Sequence, residues 1–473
     1  MSKKVSIVTA IALLLIVSLV PQAALAQSAT SQAWSTSITY YTPDPTGGNL
    51  WIHYYAEGSS TPVTADPIVL LGHKAGSLFI GNVAGITDPF KGGAVLESDV
   101  PVIATAVNIA QTGPDTNYAR PLYTAFDPAL ASSDFFIPTV LYQMFGYTTS
   151  TIGIQNVGDV AVNATLSVYA LGAATPAFQQ TYAIQPQSSK IVTAADLAAA
   201  LGAGFSGSAT ISAPGGAIVA SAQETADAGR AAKAFEGLPA NAGATTIYMA
   251  SMMCRAFGAG QQTSFYAVQN VGAAQANVEI DFYNTAGALV YTATGLSIPV
   301  GNKISANPCQ YVANDGDLEG VVGSAVIRRT NAVPLIAMGK VSGVTLTETA
   351  FVGQAGGGLK VAAPYIRWKA DPTLGERSYV AIMNIGGADA TVEVSYYGAD
   401  GLLKATHNLT IGSFIKANTN WQLASGSNTD FGVNPFGGAI EVSSNQPVIV
   451  VVRVQKNVGA DVLAEDYNGM MVP

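Results

Sequence analysis

Charge, cysteine and histidine are all scarce in this chain. Only 11% of its 473 residues are Asp, Glu, Lys or Arg, and it holds three histidines and two cysteines. His53, His73 and His407 form no HExxH pattern and no CxxC pair exists, so no metal and no cofactor is expected. A G-x-S-x-G nucleophile elbow is missing as well, and the glycine run at Ala355–Gly358 lacks a following GK[ST], which excludes a P-loop. A paired-carboxylate hydrolase remains open on sequence alone, but no carboxylate recurs in a way that needs explaining. Enzyme chemistry is therefore not expected.

Long apolar runs are equally rare. The one present, Val5–Val20, follows Lys3 and Lys4 and ends at Pro21 and the small-residue site Ala24-Leu25-Ala26. A basic start, an apolar middle and an A-x-A end read as a signal peptide over residues 1–26, and the run is short of the ~20 residues of a membrane span. The mature chain is expected to begin at Gln27, to be secreted to the extracellular space or cell surface, and to carry no transmembrane segment. Loss of Lys3 and Lys4 leaves 19 basic against 30 acidic residues, a balance that disfavours nucleic acid. Cys254 and Cys309, in an oxidising compartment, are predicted to form a disulfide, with two buried thiols as the alternative.

What the chain has in abundance is repetition. Val162–Tyr169 (VNATLSVY) follows Gln155-Asn156-Val157-Gly158; 114 residues on, ANVEIDFY follows Gln269-Asn270-Val271-Gly272, and after another 114, ATVEVSYY follows Met383-Asn384-Ile385-Gly386. The same step backwards lands on Tyr55, at the end of NLWIHYY. A period this long suits a whole small domain rather than a solenoid turn. Within each copy, short segments with strict alternation of apolar and polar residues are separated by turn signals, the pattern of strands with one buried face. Ala194–Leu201 is the one helix-like stretch. The fold class is all-β: four tandem immunoglobulin-like β-sandwich domains after the signal peptide, at 27–130, 131–243, 244–357 and 358–473. The Asn-Val-Gly element is predicted to be a hairpin turn whose glycine takes positive φ and whose Asn caps it.

The pattern Q-N-V-G-x-x-x-A/V-N-V-x-I-x-F-Y-x-x-x-G, followed by F-x-G-x-x-x-I and a Pro-initiated apolar strand, resembles the tandem immunoglobulin-like, cell-adhesion-related (CARDB-like) repeats of bacterial secreted and surface proteins. That resemblance covers essentially the whole mature chain. It implies adhesion, spacing or envelope assembly and brings no catalytic residues.

Two features of the first copy stand apart. Counting back from Asp134–Gln143 falls in the signal peptide, so this copy has at most Gln27–Trp34 as an opening strand; either that stretch folds back, or the bare edge pairs with another subunit to build a filament or layer. Its strand also carries Trp51, His53 and Tyr55 on one face, opposite Leu50, Ile52 and Tyr54, with Tyr40 and Tyr41 on the neighbouring strand. Such a stripe can stack on sugars or pack against another domain. The acidic loop Asn314–Glu319 falls short of an EF-hand and reads as a solvated turn. The expectation is an exported, non-enzymatic structural or adhesive surface protein whose partners are itself or other surface proteins, with a glycan-binding module as the alternative.

Overall fold

The computed structural model describes residues 33–111, 119–145, 148–226, 231–258, 261–312, 318–343, 347–369, 375–426, 437–458 and 461–473. Residues 1–26, read above as a signal peptide, the stretch Gln27–Gln32 and most of the Asn314–Glu319 loop lie outside them. The fold is almost entirely antiparallel β-structure. The seven sheets among the described residues respect the repeat, for each is built only from residues 33–124, 134–239, 246–352 or 358–471. In the second repeat one sheet orders Phe178–Ile184, Val162–Ala170, Phe205–Ser212, Asp134–Tyr142 and Leu238–Pro239; the facing sheet orders Ser189–Val192, Thr149–Asn156, Ile218–Ala226 and Ala231–Glu236. The third repeats this plan with two four-stranded sheets. In the fourth, the 21-residue strand Gly438–Val458 runs through both, pairing first with Gly358–Ile366 and Ala390–Gly398 and then with Glu376–Asn384 and Asp461–Asn468, so the two sheets count as one.

Alternation explains which faces close. Along Val162–Ala170, Val162, Ala164, Leu166 and Val168 are buried while Asn163 is exposed, and along Gly48–Ala56 it is Leu50, Ile52 and Tyr54 that are buried. The helix-like stretch forms a short helix, Ala194–Leu197, opened by a Thr193–Asp196 capping box and anchored by buried Leu197.

The Asn-Val-Gly element corrects the hairpin expectation. Thr149–Asn156 and Val162–Ala170 belong to opposite sheets, so the turn is an arch between layers. Its glycines also lack positive φ. Gly272 is needed for space instead, since a Cβ there would sit 2.7 Å from Val333 Cγ1 and 2.8 Å from Pro334 Cδ, whereas at Gly158 it would meet nothing nearer than Asn156 Oδ1 at 3.3 Å. The Asn does more than cap. Asn270 is wholly buried; its Nδ2 donates to the carbonyls of Ala274 at 2.7 Å and Ile298 at 3.0 Å, and its Oδ1 accepts from Gly272 N–H at 2.8 Å. Asn156 and Asn384 make the same bonds in their own repeats. The first repeat has buried Thr42 at this place, donating to Pro101 O at 2.9 Å and accepting from Asp44 N–H at 3.2 Å.

The four repeats do not stand in a row. The strands Leu122–Thr124, Ala231–Glu236, Glu348–Val352 and Asp461–Asn468 pack side against side in a closed circuit. At matching positions along them, Thr124 N–H donates to Glu236, Val352 N–H donates to Asn468 Oδ1 at 2.7 Å, and Thr124 Oγ1 donates to Asn468 O at 3.3 Å. The first repeat is therefore bonded to both the second and the fourth. The cores are continuous across these joins: Tyr41, Ala75, Val107 and Leu122 share a cluster with the fourth repeat, and Met383, Ile449 and Val451 share one with the third.

Asn270→Ala strips two buried carbonyls and one N–H of their partner and is expected to cost about 3 kcal/mol, whereas Asn270→Thr, copying Thr42, costs less. Urea unfolding of the two variants checks the order; equal losses would show that the carboxamide bonds are not what holds the arch.

Candidate functional site

A cleft of about 290 Å³ opens where the last repeat meets the first. Ser37, Thr39, Ser77, Val107, Ile109 and Arg120 line it from one side, Tyr365, Arg367 and Glu376 from the other. The hydroxyls come from adjacent strands, since Ser37–Tyr41 pairs with Ala75–Phe79, and Thr39 Oγ1 donates to Ser77 Oγ at 3.2 Å. Arg120 ion-pairs with Glu376, its backbone N–H donates to Glu465 at 3.0 Å, and the Arg367 guanidinium lies 4.7 Å from the Tyr365 ring centroid. Two guanidiniums thus flank one carboxylate in a half-enclosed polar space. Glu465 behind them is buried; desolvation, opposed by Arg120 and reinforced by Glu376, pushes its carboxyl up to about 8. Burial thus disfavours the Glu465 carboxylate, and Glu376 is the carboxylate that lines the cleft beside the two arginines.

The arrangement can hold a carboxylate or hydroxyl-bearing group, and none of the lining hydroxyls has a His or Lys beside it among the residues that form the cleft. Sequence reasoning missed this site. Arg120, Arg367 and Glu376 recur nowhere in the repeat, and only the meeting of the chain's two ends brings them together.

The residues singled out from sequence lie elsewhere. Trp51, His53 and Tyr55 share the half-exposed face of Gly48–Ala56, with His53 bonded to Thr64 Oγ1 at 2.9 Å and to Glu97 at 3.3 Å. Tyr40 and Tyr41 do not extend that stripe, because their strand belongs to the other sheet. Tyr41 is fully buried at the seam instead, donating to Glu441 at 2.6 Å beside His73, whose ring stacks on Tyr397 at 4.4 Å. Cys254 and Cys309 are joined as a disulfide with Cα atoms 5.1 Å apart. Glu319, at the end of the acidic loop, pairs with Arg255. Among the described residues no three His, Cys, Asp or Glu side chains gather into a metal-binding group, and no helix is long and apolar enough to cross a membrane.

No family model matches the chain, and no curated protein does. Among solved structures the chain is similar to a protein known as Thermotoga maritima 1070, at 18% identity and a TM-score of 0.20, over 24% of this chain and 96% of that one.

The raised Glu465 sets a sign for pH dependence. A carboxyl whose folded pKa exceeds its unfolded value lends stability below the unfolded pKa and loses it as pH rises through about 8. Glu465→Gln should therefore gain on the parent chain as pH climbs from 5 to 9 in paired urea titrations. A constant difference across that range would show that Glu465 titrates normally.

Proposed function

We propose that the chain is an exported, non-enzymatic structural or adhesive protein of the bacterial cell surface, built from four immunoglobulin-like β-sandwich domains. The observation that carries this reading is where its charged and buried polar groups are used. Buried Glu224 of the second repeat meets Lys340 of the third at 2.5 Å, Lys233 pairs with Glu348 across the same join, and Arg453 of the fourth donates to Gln262 of the third at 2.9 Å. Asn302 of the third bonds Ala170, Gly172 and Ala173 of the second. These groups fasten repeat to repeat. They suit a rigid, protease-resistant body that presents surfaces rather than turning over a substrate. The signal peptide and the CARDB-like resemblance supply the surface location, and the low charge and disulfide suit an oxidising exterior.

Fractionation of producing cells tests the location. The protein is expected outside the cytoplasmic membrane, with an intact mass that starts at Gln27; a cytoplasmic protein retaining Met1 contradicts the reading.

A second reading, glycan binding, has one specific observation in its favour: Trp51, His53 and Tyr55 stay half-exposed on one strand face, the geometry of an aromatic sugar platform. Glycan-array binding that falls at least tenfold in Trp51→Ala would establish it. Unchanged or absent binding leaves the stripe as packing surface.

A further inference from the structure

Three of the four repeats close one sheet with the same strand, and among the described residues the first does not. In the second repeat Phe205–Ser212 pairs with Val162–Ala170 on one side and Asp134–Tyr142 on the other; Val322–Arg329 and Gly438–Val458 are likewise flanked by Thr246–Met253 and Gly358–Ile366. The matching strand of the first repeat, Gly92–Ser98, pairs with Gly48–Ala56, and among the described residues no strand lies on its other edge. Glu57 N–H donates to Lys91 O and Asp99 N–H to Asn49 O. By the two-residue period, Gly92, Ala94, Leu96 and Ser98 then turn their N–H and C=O groups to the open edge.

Two further observations show that a strand's worth of space is uncovered there. Ala94 and Leu96 are half-exposed, whereas Ala209 and Ile211, Ala325 and Ile327, and Ile440 and Val442 at the same positions are all buried. The partners covering those pairs are apolar: Phe135 and Ile137, Ile247 and Met249, Val361 and Ala363. The flanking strand also covers the next repeat's sheet, since Thr139 meets Lys340 at 3.0 Å. Accordingly Ala267, Gln269 and Met338 of the third repeat are buried, while their counterparts in the second, Gly153, Gln155 and Ser221, are half-exposed. The second repeat stands directly over the bare edge, for a Cβ on Gly93 would meet the Gln155 carboxamide at 2.7 Å.

We propose that this slot, between the edge of Gly92–Ser98 and the Gly153/Gln155/Ser221 face, receives an extended strand donated by a different polypeptide, antiparallel to Gly92–Ser98. The inference rests on the export reading. In the second repeat Tyr142 ends the flanking strand and Thr149 begins the next. Residues 27–32 suffice for a connection of that length before Ala33, not for the connection and a strand as well. A chain cut after Ala26 therefore lacks, ahead of Ala33, the residues that fill this place in its sister repeats. The chemistry of the donor follows from the sister strands and the walls. Alternate residues are apolar to complete the core over Ala94 and Leu96, and the one between them is uncharged, as Phe136, Tyr248 and Ala362 are, to lie on Gly153, Gln155 and Ser221. Main-chain pairing supplies affinity and the alternate side chains specificity.

The probe is a peptide of the sequence of Gly358–Ile366 (GLKVAAPYI), titrated against the exported full-length mature chain by calorimetry. One-to-one saturable binding is expected, with a scrambled peptide inert. Ala94→Pro, which removes an outward N–H and none of the bonds to Gly48–Ala56, should weaken binding at least tenfold while leaving the unfolding midpoint near that of the parent. As a second arm, the same nine residues and a six-residue connection fused ahead of Gln27 should abolish binding of free peptide and raise the midpoint. No binding, or binding indifferent to both changes, overturns the proposal. So does a mature chain that oligomerises by itself and is made monomeric by Ala94→Pro, because the donor is then a second copy. Intact mass separates the failures: a chain starting at Gln27 that ignores the peptide sinks this inference alone, and one starting upstream sinks the export reading.

Discussion

A buried carboxamide at the foot of three of the four repeats sets what the rest of the structure can be. Asn156, Asn270 and Asn384 each lie fully inside, where an unpaired amide is costly, and each spends its hydrogen bonds on carbonyls of the facing layer and on the N–H of the glycine two residues on. That fixes the arch between the sheets, and with it which strand faces which. The two sheets then offer their outer faces, and those faces are what the repeats use to join one another.

The joins follow one geometry with different chemistry. Matching positions carry Gln223, Lys340 and Arg453, which reach respectively Asn108 at 2.9 Å, Glu224 at 2.5 Å and Gln262 at 2.9 Å in the preceding repeat. A polar pair unlike its neighbours at each join lets four similar bodies assemble in one order, because a wrong pairing would bury a charge without its partner. The second-to-third join is heavily charged. Lys303 there is buried beside Lys340, and desolvation with that like charge holds its ammonium down to about 7.

Much of the local structure was legible in the sequence, and the reason is periodicity. Alternation along Val162–Tyr169 and Asn49–Tyr55 fixes which residues point inward, because a strand's side-chain period admits no other reading once one face is apolar. The recurring Asn-Val-Gly was legible as a turn and misread as to its kind. A hairpin and an arch share the same turn residues, and the distinction lies in which distant strand each arm pairs with. The closure of the chain was not legible at all, since Arg120, Arg367, Glu376 and Tyr41 belong to no repeated pattern and meet only across several hundred residues. The cleft at the seam was hidden for the same reason, while the edge of Gly92–Ser98, which no described strand covers, could be looked for because the repeat itself says what should stand there.

The central claim is that the fourth repeat closes back on the first. Small-angle scattering of the mature chain in dilute solution tests it most directly. A closed body gives a radius of gyration near that of a compact globule of this length, about 23 Å, and a single symmetric distance distribution. A radius well above that, with the long tail of a rod in which the first and last repeats stand far apart, would contradict it.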